Sequence, residues 1–286
     1  MRLSEVIRHG QQKIVRSITH SVINPAYIAV DGLRSLSDSG YYPKVALQAA
    51  QSTRVFGRFK RNPIYREVLE HVSEKQGAEY LEQIQKKWPQ LIDNIEEYKI
   101  NDAVGDPIRY IYPRVGEISP TTLRYLKVAS DLRELFGELT DFNVVEIGAG
   151  YGGQFLISDL LWRLGSWTIL DLDPVLQLIS RYLECHLINS IYKPTTLNRY
   201  GGQDAAFDLA ISNYAFSELP KQLQLKYISK VLSKTKRGYM HMNSGKTSSN
   251  SQHLSINELR AHFPTAMLLD EEPLTYAENY IFVWGQ

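Results

Sequence analysis

The chain has almost no cysteine. One residue in 286, Cys185, excludes an internal disulfide and makes a reducing cytoplasm the expected setting. Cys185 lies in an apolar helical run, Leu183 to Ile188, and is expected to be a small core hydrophobe. Long hydrophobic stretches are missing too: nothing approaches the ~20 apolar residues of a membrane span. Neither sign of charge prevails, since 32 Lys and Arg stand against 31 Asp and Glu for a net +1. With no global field and no recognisable binding module, nucleic acid is not an expected partner. No group of Asp, Glu or His has metal-ligand spacing, so no metal is expected. Met1 to His20 carries scattered charge without the apolar core of a signal peptide. It reads as a basic amphipathic helix with Leu3, Ile7, Ile14 and Ile18 on one face. Such a helix is expected to pack on its own protein or on a second copy in a homodimer, rather than on a membrane surface.

What is present is an ordinary globular composition, 43% apolar and 22% charged. The length suits one large domain or a domain with a substantial appendage. The most telling stretch runs from Asn143 to Gly153. Phe142, Val144, Val145 and Ile147 form an apolar run that ends in glycines, and an apolar helical segment, Gln154 to Leu164, follows. That order is strand, tight turn, helix. Gly148 and Gly150 admit backbone angles closed to other residues and let a ligand come close. The helix behind them offers free N–H groups and a positive dipole end. Asp171 closes the next apolar strand, 23 residues after Gly148, about where an acid that grips a ribose is expected.

Two cofactor classes fit this frame. Gly148, Gly150 and Gly153 match a dinucleotide fingerprint. Glu146, two residues before the first glycine, points elsewhere. A carboxylate there would push against a pyrophosphate and favour positive charge near the turn. S-adenosyl-L-methionine carries an ammonium and a sulfonium and no phosphate. Glu146-x-Gly148-x-Gly150 followed by Asp171 resembles the first two motifs of class I methyltransferases. A nicotinamide or flavin cofactor, or a glycine turn that binds nothing, are the alternatives.

The two halves differ in pattern. Residues 1–118 read as a mainly helical N-terminal region for acceptor binding or oligomerisation, and 119–286 as the donor-binding domain. In the first, helices are expected over Ile64 to Ser73, Ala78 to Trp88 and Leu91 to Tyr98, with a tyrosine-rich loop from Ala103 to Val115. Ser119 caps the next helix, with Pro120 at its first position and Gly137 as terminator. Strands then follow at Val144 to Gly148, Trp167 to Asp171, Thr195 to Tyr200, Phe207 to Ser212 and Arg237 to Asn243. Helices are expected over Pro174 to Ile191 and Pro220 to Lys234, and a capping box, Ser255 to Glu258, opens a short one. Asp270 to Asn279 is too short for a helical crossover, so the last strands, Ala266 to Leu269 and Tyr280 to Trp284, should pair antiparallel. The expected fold class is α/β: a Rossmann-like class I methyltransferase sheet, mostly parallel with an antiparallel last strand, and a helical N-terminal region.

A narrower likeness lies in Phe59 to His71, Ser119 to Tyr125, Val145 to Gly153, Ile169 to Leu172 and Ile211 to Leu219. These blocks resemble the sugar O-methyltransferase family of bacterial glycan and natural-product clusters, over about residues 55–285. The resemblance implies methyl transfer to a hydroxyl of a sugar, glycan or glycosylated metabolite. A non-sugar small molecule as acceptor, or a catalytically silent protein of the same fold, are the other readings. The chain departs from the family at His241, where an aliphatic residue is expected.

Ligands of such sheets bind outside the carboxyl ends of the strands. Glu146 and the turn Gly148, Ala149, Gly150, Tyr151, Gly152 and Gly153 should therefore hold the methionine part of the donor. Asp171 should bond both ribose hydroxyls. Leu172 and Gln203 or Asp204 should face adenine, although the last two also read as a plain polar turn. Ser212 and Asn213 end a strand beside the sulfonium, and Arg124 is a candidate for the donor's carboxylate. Glu218 is a candidate general base, or else an acid favourable to a helix dipole. His241 has a suitable intrinsic pKa but sits inside a strand, where packing is the plainer account. His71, on an amphipathic helix, should also be packing. Six basic side chains and no acid lie between Lys44 and Arg66. There Arg58, Lys60 and Arg61 beside Phe56 and Phe59 form either a phosphate or acidic-sugar grip or a solvated face. Tyr110, Tyr112, Tyr125 and Tyr214 suit stacking on a sugar ring. Ser217 and Asn243 complete the acceptor candidates.

Overall fold

The computed structural model describes residues 40–201, 206–246 and 252–286. Seven strands form the main sheet: β3 (Asn143–Ile147), β4 (Ser166–Leu170), β5 (Ile191–Thr195), β6 (Phe207–Asn213), β7 (Thr235–Met242), β8 (Met267–Asp270) and β9 (Tyr280–Trp284). Their order is β5-β4-β3-β6-β7-β9-β8. The first five are parallel, and β9 runs antiparallel to both β7 and β8. This is the Rossmann-like sheet with a closing antiparallel pair that the sequence predicts. Chain order reverses between β3 and β6, so the crevice at their carboxyl ends is the topological switch point where such sheets take ligands.

Alternation along the strands feeds two cores. Val144, Trp167, Ile169, Leu209, Ile211 and Tyr239 face one cluster, and Val145, Leu170, Ala210, Met240, Phe282 and Trp284 face the other. The first core is shared with the helical half. That half holds α1 (Tyr42–Gln51), α2 (Pro63–Val68), α3 (Glu74–Lys87) and a hairpin of β1 (Tyr110–Tyr112) with β2 (Gly116–Ile118). It leads into α4 (Pro120–Phe136), whose N-cap Ser119 accepts from the Thr122 N–H. Further helices include α5 (Gly153–Leu161), α6 (Asp173–Leu183), α7 (Ala215–Glu218), α8 (Lys221–Lys230) and α9 (Ile256–His262). No described helix is long and apolar enough to cross a membrane.

Several expectations are corrected. The third strand is Ile191–Thr195, not Thr195 to Tyr200, because Thr196 caps a short helix at Leu197–Tyr200. The helix before it ends at Leu183, not Ile191. Cys185 is exposed rather than in the core, because it lies just past that helix end. His71 is exposed coil, since α2 stops at Val68. α3 starts earlier than expected, at Glu74, because Ser73 and Gln76 form a capping box. Leu91 to Tyr98 breaks into Gln90–Asp93 and Ile95–Tyr98 around Asn94. The tyrosine-rich loop contains β1. The expected helix at Met1 to His20 and the pair Gln203 and Asp204 lie outside the described residues.

Candidate functional site

The turn after β3 uses three positive φ angles, at Gly148 (74°), Gly150 (64°) and Gly152 (91°). A side chain at Gly148 would also collide with Ala215, because its Cβ would stand 2.1 Å from that of Ala215. The turn after β3 and the start of the Ala215–Glu218 helix are thus in van der Waals contact. Asp171 braces the turn from beside it: Ala149 N–H donates to Oδ2 at 2.9 Å and Leu172 N–H to Oδ1 at 2.7 Å. Ser212 lies beneath, donating to Ile147 O at 2.9 Å and accepting from Phe216 N–H at 3.0 Å.

Glu146 is 1% exposed and accepts from Trp167 Nε1 at 3.0 Å. Burial pushes its pKa up to about 8, with the nearby Asp171 adding to the rise and the Trp167 hydrogen bond opposing it. Among the described residues no basic side chain sits against it. It is a buried acid without a counter-charge.

The helical half roofs this corner. Leu69 lies over Gly150, at 2.9 Å from where a Cβ would be. Tyr151, fully buried, is the hub of an aromatic cluster with ring centroids of Phe59 at 5.7 Å, Tyr125 at 6.0 Å and Tyr182 at 4.9 Å. Lys60 is buried within it, 4.1 Å from the Tyr151 centroid, and donates to Asn101 O at 2.6 Å. Burial lowers the Lys60 pKa to about 8. Burial also raises the Tyr42 phenol, and Asp171, Tyr125 and Glu218 add to that rise. Around the same turn three buried polar atoms have no hydrogen-bond partner: Arg124 Nε, Tyr65 Oη and Glu70 Oε1. Unpartnered buried polar atoms beside a glycine turn fit a polar ligand. Arg124 Nη2 is anchored on Leu69 O at 3.2 Å.

On the β6–β7 side, Asn213 Oδ1 is 3.1 Å from His241 Nδ1, and His241 Nε2 is 3.4 Å from Tyr239 Oη. Tyr239 donates to Asp131 at 2.6 Å, and Asp131 takes Lys127 and Lys87. Burial is the main cause that lowers the His241 pKa to about 3, so the ring is neutral. Ser217, fully buried, accepts from Asn243 N–H at 3.1 Å, and Asn243 Nδ2 reaches Glu218 Oε1 at 3.4 Å. Glu218 itself is half-buried on α7.

The structure thus brings together Glu146, the glycine turn, Asp171, Leu172, Ser212, Asn213, Tyr214, Arg124 and Tyr125. It separates the expected cationic patch. Lys60 points inward, Arg61 pairs with Asp106 at 2.6 Å, and Arg58 is exposed. Sequence reasoning named none of Tyr42, Tyr65, Glu70, Tyr80 and Glu271 individually, although Tyr65 and Glu70 fall within the block Phe59 to His71. Among the described residues no group of three or more His, Cys, Asp or Glu could hold a metal.

No protein-family model matches this sequence, and no curated protein matches it. Solved structures of similar fold include a SAM-dependent methyltransferase from Aquifex aeolicus, with 13% identity over 54% of this chain and 85% of that one, TM-score 0.40. Another is the magnesium protoporphyrin IX methyltransferase of Synechocystis PCC 6803 with bound SAM, at 13% identity, 56% and 78% coverage and TM-score 0.42. A third is an O-methyltransferase family 2 protein from Planctomyces limnophilus with apigenin, at 10% identity, 50% and 49% coverage and TM-score 0.38. Likeness at this level carries no chemistry across.

Proposed function

We propose that the chain is an S-adenosylmethionine-dependent methyltransferase that methylates a hydroxyl of a sugar, glycan or glycosylated metabolite. The observation that carries the donor assignment is Glu146, a buried carboxylate without a counter-charge under a glycine turn at the switch point. Once ionised, that acid would repel a diphosphate, whereas an ammonium and a sulfonium favour its ionised form. In this reading Glu146 and the backbone of residues 148–153 hold the methionine part, Arg124 Nε takes the donor's carboxylate, Asp171 holds the ribose, and Leu172 lines the adenine. Gln203 and Asp204 are assigned to the adenine edge from the sequence alone.

When bound, the donor supplies an activated methyl carbon. The chain's own work is to align an acceptor oxygen behind it and exclude water. The roof of Tyr42, Tyr65, Leu69 and Tyr125 serves the second task. Asn213, held by a neutral His241, lies beside the reacting centre, and Glu218 borders the donor side of the acceptor. The sugar assignment is supported by the sequence blocks that resemble sugar O-methyltransferases and by the half-buried aromatic ring of Tyr214. A cytoplasmic setting and a homodimer belong to the same reading.

Thermal-shift titration tests it. S-adenosylhomocysteine should raise the melting temperature and NAD should not. A response to NAD alone would make the chain an oxidoreductase, and none to either would make it a silent binding protein. Asp171→Ala should weaken S-adenosylhomocysteine at least about tenfold, or ~1.4 kcal/mol, by calorimetry with the fold retained. An unchanged affinity would remove Asp171 from the pocket.

A further inference from the structure

We propose that Tyr214 is the catalytic residue that meets the acceptor hydroxyl, and that Glu271 positions its phenol and receives the proton through it. The inference rests on the methyl-transfer reading above and deepens it.

Tyr214 is a non-glycine residue at φ 70°. Side chains rarely occupy that region, and where they do the surroundings hold them there, often at functional sites. The cause here is visible. Its N–H still donates to His241 O at 3.1 Å, continuing the β6–β7 pairing, while the chain must already turn into α7. The left-handed turn sends the side chain across the ends of β7 and β9 to Glu271, one residue past β8, and the phenol donates to Glu271 Oε1. Tyr214 is half-buried at the crevice, and Glu271 behind it is 3% exposed.

Glu271 is held from the far side. Its Oε2 accepts from Thr275 N–H at 2.8 Å, Thr275 Oγ1 at 2.8 Å and Asn279 Nδ2 at 3.0 Å. Oε1 therefore faces the phenol. The ring lies 5.2 Å from His241, and Tyr80 and Arg124 are close enough to act on the phenol electrostatically. A buried carboxylate reached through a half-buried phenol, at the strand end beside the glycine turn, is an arrangement for moving a proton out of a dry crevice.

The step balances. The acceptor oxygen forms a bond to the methyl carbon as the carbon–sulfur bond breaks, its electron pair going to sulfur. The acceptor proton passes to the Tyr214 oxygen while the Tyr214 proton passes to Glu271 Oε1. An ether, a thioether and a neutral Glu271 result, and Glu271 later returns its proton by the same path.

The test uses the full chain, labelled S-adenosylmethionine and a pool of glycans and nucleotide sugars. Tyr214→Phe and Glu271→Gln should each lower kcat about 100-fold or more, with the donor KM unchanged. Glu271→Asp should recover part of the loss. Asn279→Ala loosens the anchor but keeps carboxylate and phenol, and should lose far less than Glu271→Gln. Melting curves and S-adenosylhomocysteine calorimetry on each variant establish folding and donor binding. Undiminished turnover in Glu271→Gln overturns the proposal. So does an equal loss in Asn279→Ala, which would reduce Glu271 to a loop staple, or a loss in Glu218→Gln with none in Glu271→Gln. A wild-type chain that binds S-adenosylhomocysteine yet methylates nothing sinks the methyl-transfer reading, and this inference with it. Turnover by wild type that the variants retain sinks this inference alone.

Discussion

The sheet half and the helical half each bury one charge within the same few residues of the glycine turn, and they treat it in opposite ways. Lys60, from the helical half, is 1% exposed but partnered: a carbonyl at 2.6 Å and the faces of Tyr151 and Tyr182 at 4.1 and 5.0 Å. Glu146, from the sheet half, is equally buried and has an indole N–H but no cation. Both are driven toward neutrality, the ammonium down and the carboxyl up, each to about 8. A satisfied buried charge is a fastening, whereas one lacking its counter-charge is a place for a ligand. On that contrast Tyr151, although it belongs to the turn, sides with the fastening.

The contrast breaks most visibly at Tyr151→Ala. Removing the hub empties the space between Phe59, Tyr125 and Tyr182, and should cost about 3–5 kcal/mol in denaturant unfolding. If stability were kept and only S-adenosylhomocysteine binding lost, Tyr151 would belong to the ligand side. Glu146→Gln sharpens the other arm. With Glu146 protonated below about pH 8 in the free protein, a cationic donor should displace that proton on binding. Calorimetry at pH 7 in buffers of different ionisation enthalpy should then show proton release. Affinity should rise with pH up to about 8, by at most about tenfold per unit. Glu146→Gln should abolish both effects, and proton release that persisted in the variant would place the titrating group elsewhere.

The same division sets what could be read beforehand. In the sheet half most strands show an apolar run bounded by turn residues, so their succession along the chain, the mostly parallel polarity and the antiparallel close followed from spacing, whereas the lateral order of the strands was not read. Its one failed strand, Ile191–Thr195, is an edge strand, mostly exposed and interrupted by Pro194, where no core demands a pattern. The helical half is short elements placed by distant partners. Lys60 looked like a surface cation among Arg58 and Arg61, because nothing local reveals that Tyr151 and Tyr182, some 90 to 120 residues on, close around it. Glu271 was hidden likewise. It stands in a turn beside Glu272, and its meaning comes only from the angle at Tyr214.

The smallest effect is expected at Lys60→Met, and it separates fastening from function most cleanly. The buried ammonium is lowered from an ordinary 10.5 to about 8. Between those values the unfolded chain holds a proton that the folded chain lacks, so this residue makes stability rise as pH climbs from 8 to about 10.5. Glu146 acts earlier and with the other sign. Its folded pKa lies above the ordinary 4.5, so its contribution is present below pH 4.5 and is lost as pH rises through 8. Lys60→Met removes the charge and its desolvation cost and leaves Asn101 O with only the longer hydrogen bond from Tyr182 Oη at 3.3 Å, and replacing a partnered buried charge by an apolar side chain is often close to neutral. Stability at pH 7 should therefore change by only about 1 kcal/mol, while the upward slope above pH 8 in urea-unfolding curves disappears. S-adenosylhomocysteine affinity should stay as in wild type. A slope that survived would assign the titration to another group, and a lost affinity would make Lys60 part of the donor corner after all.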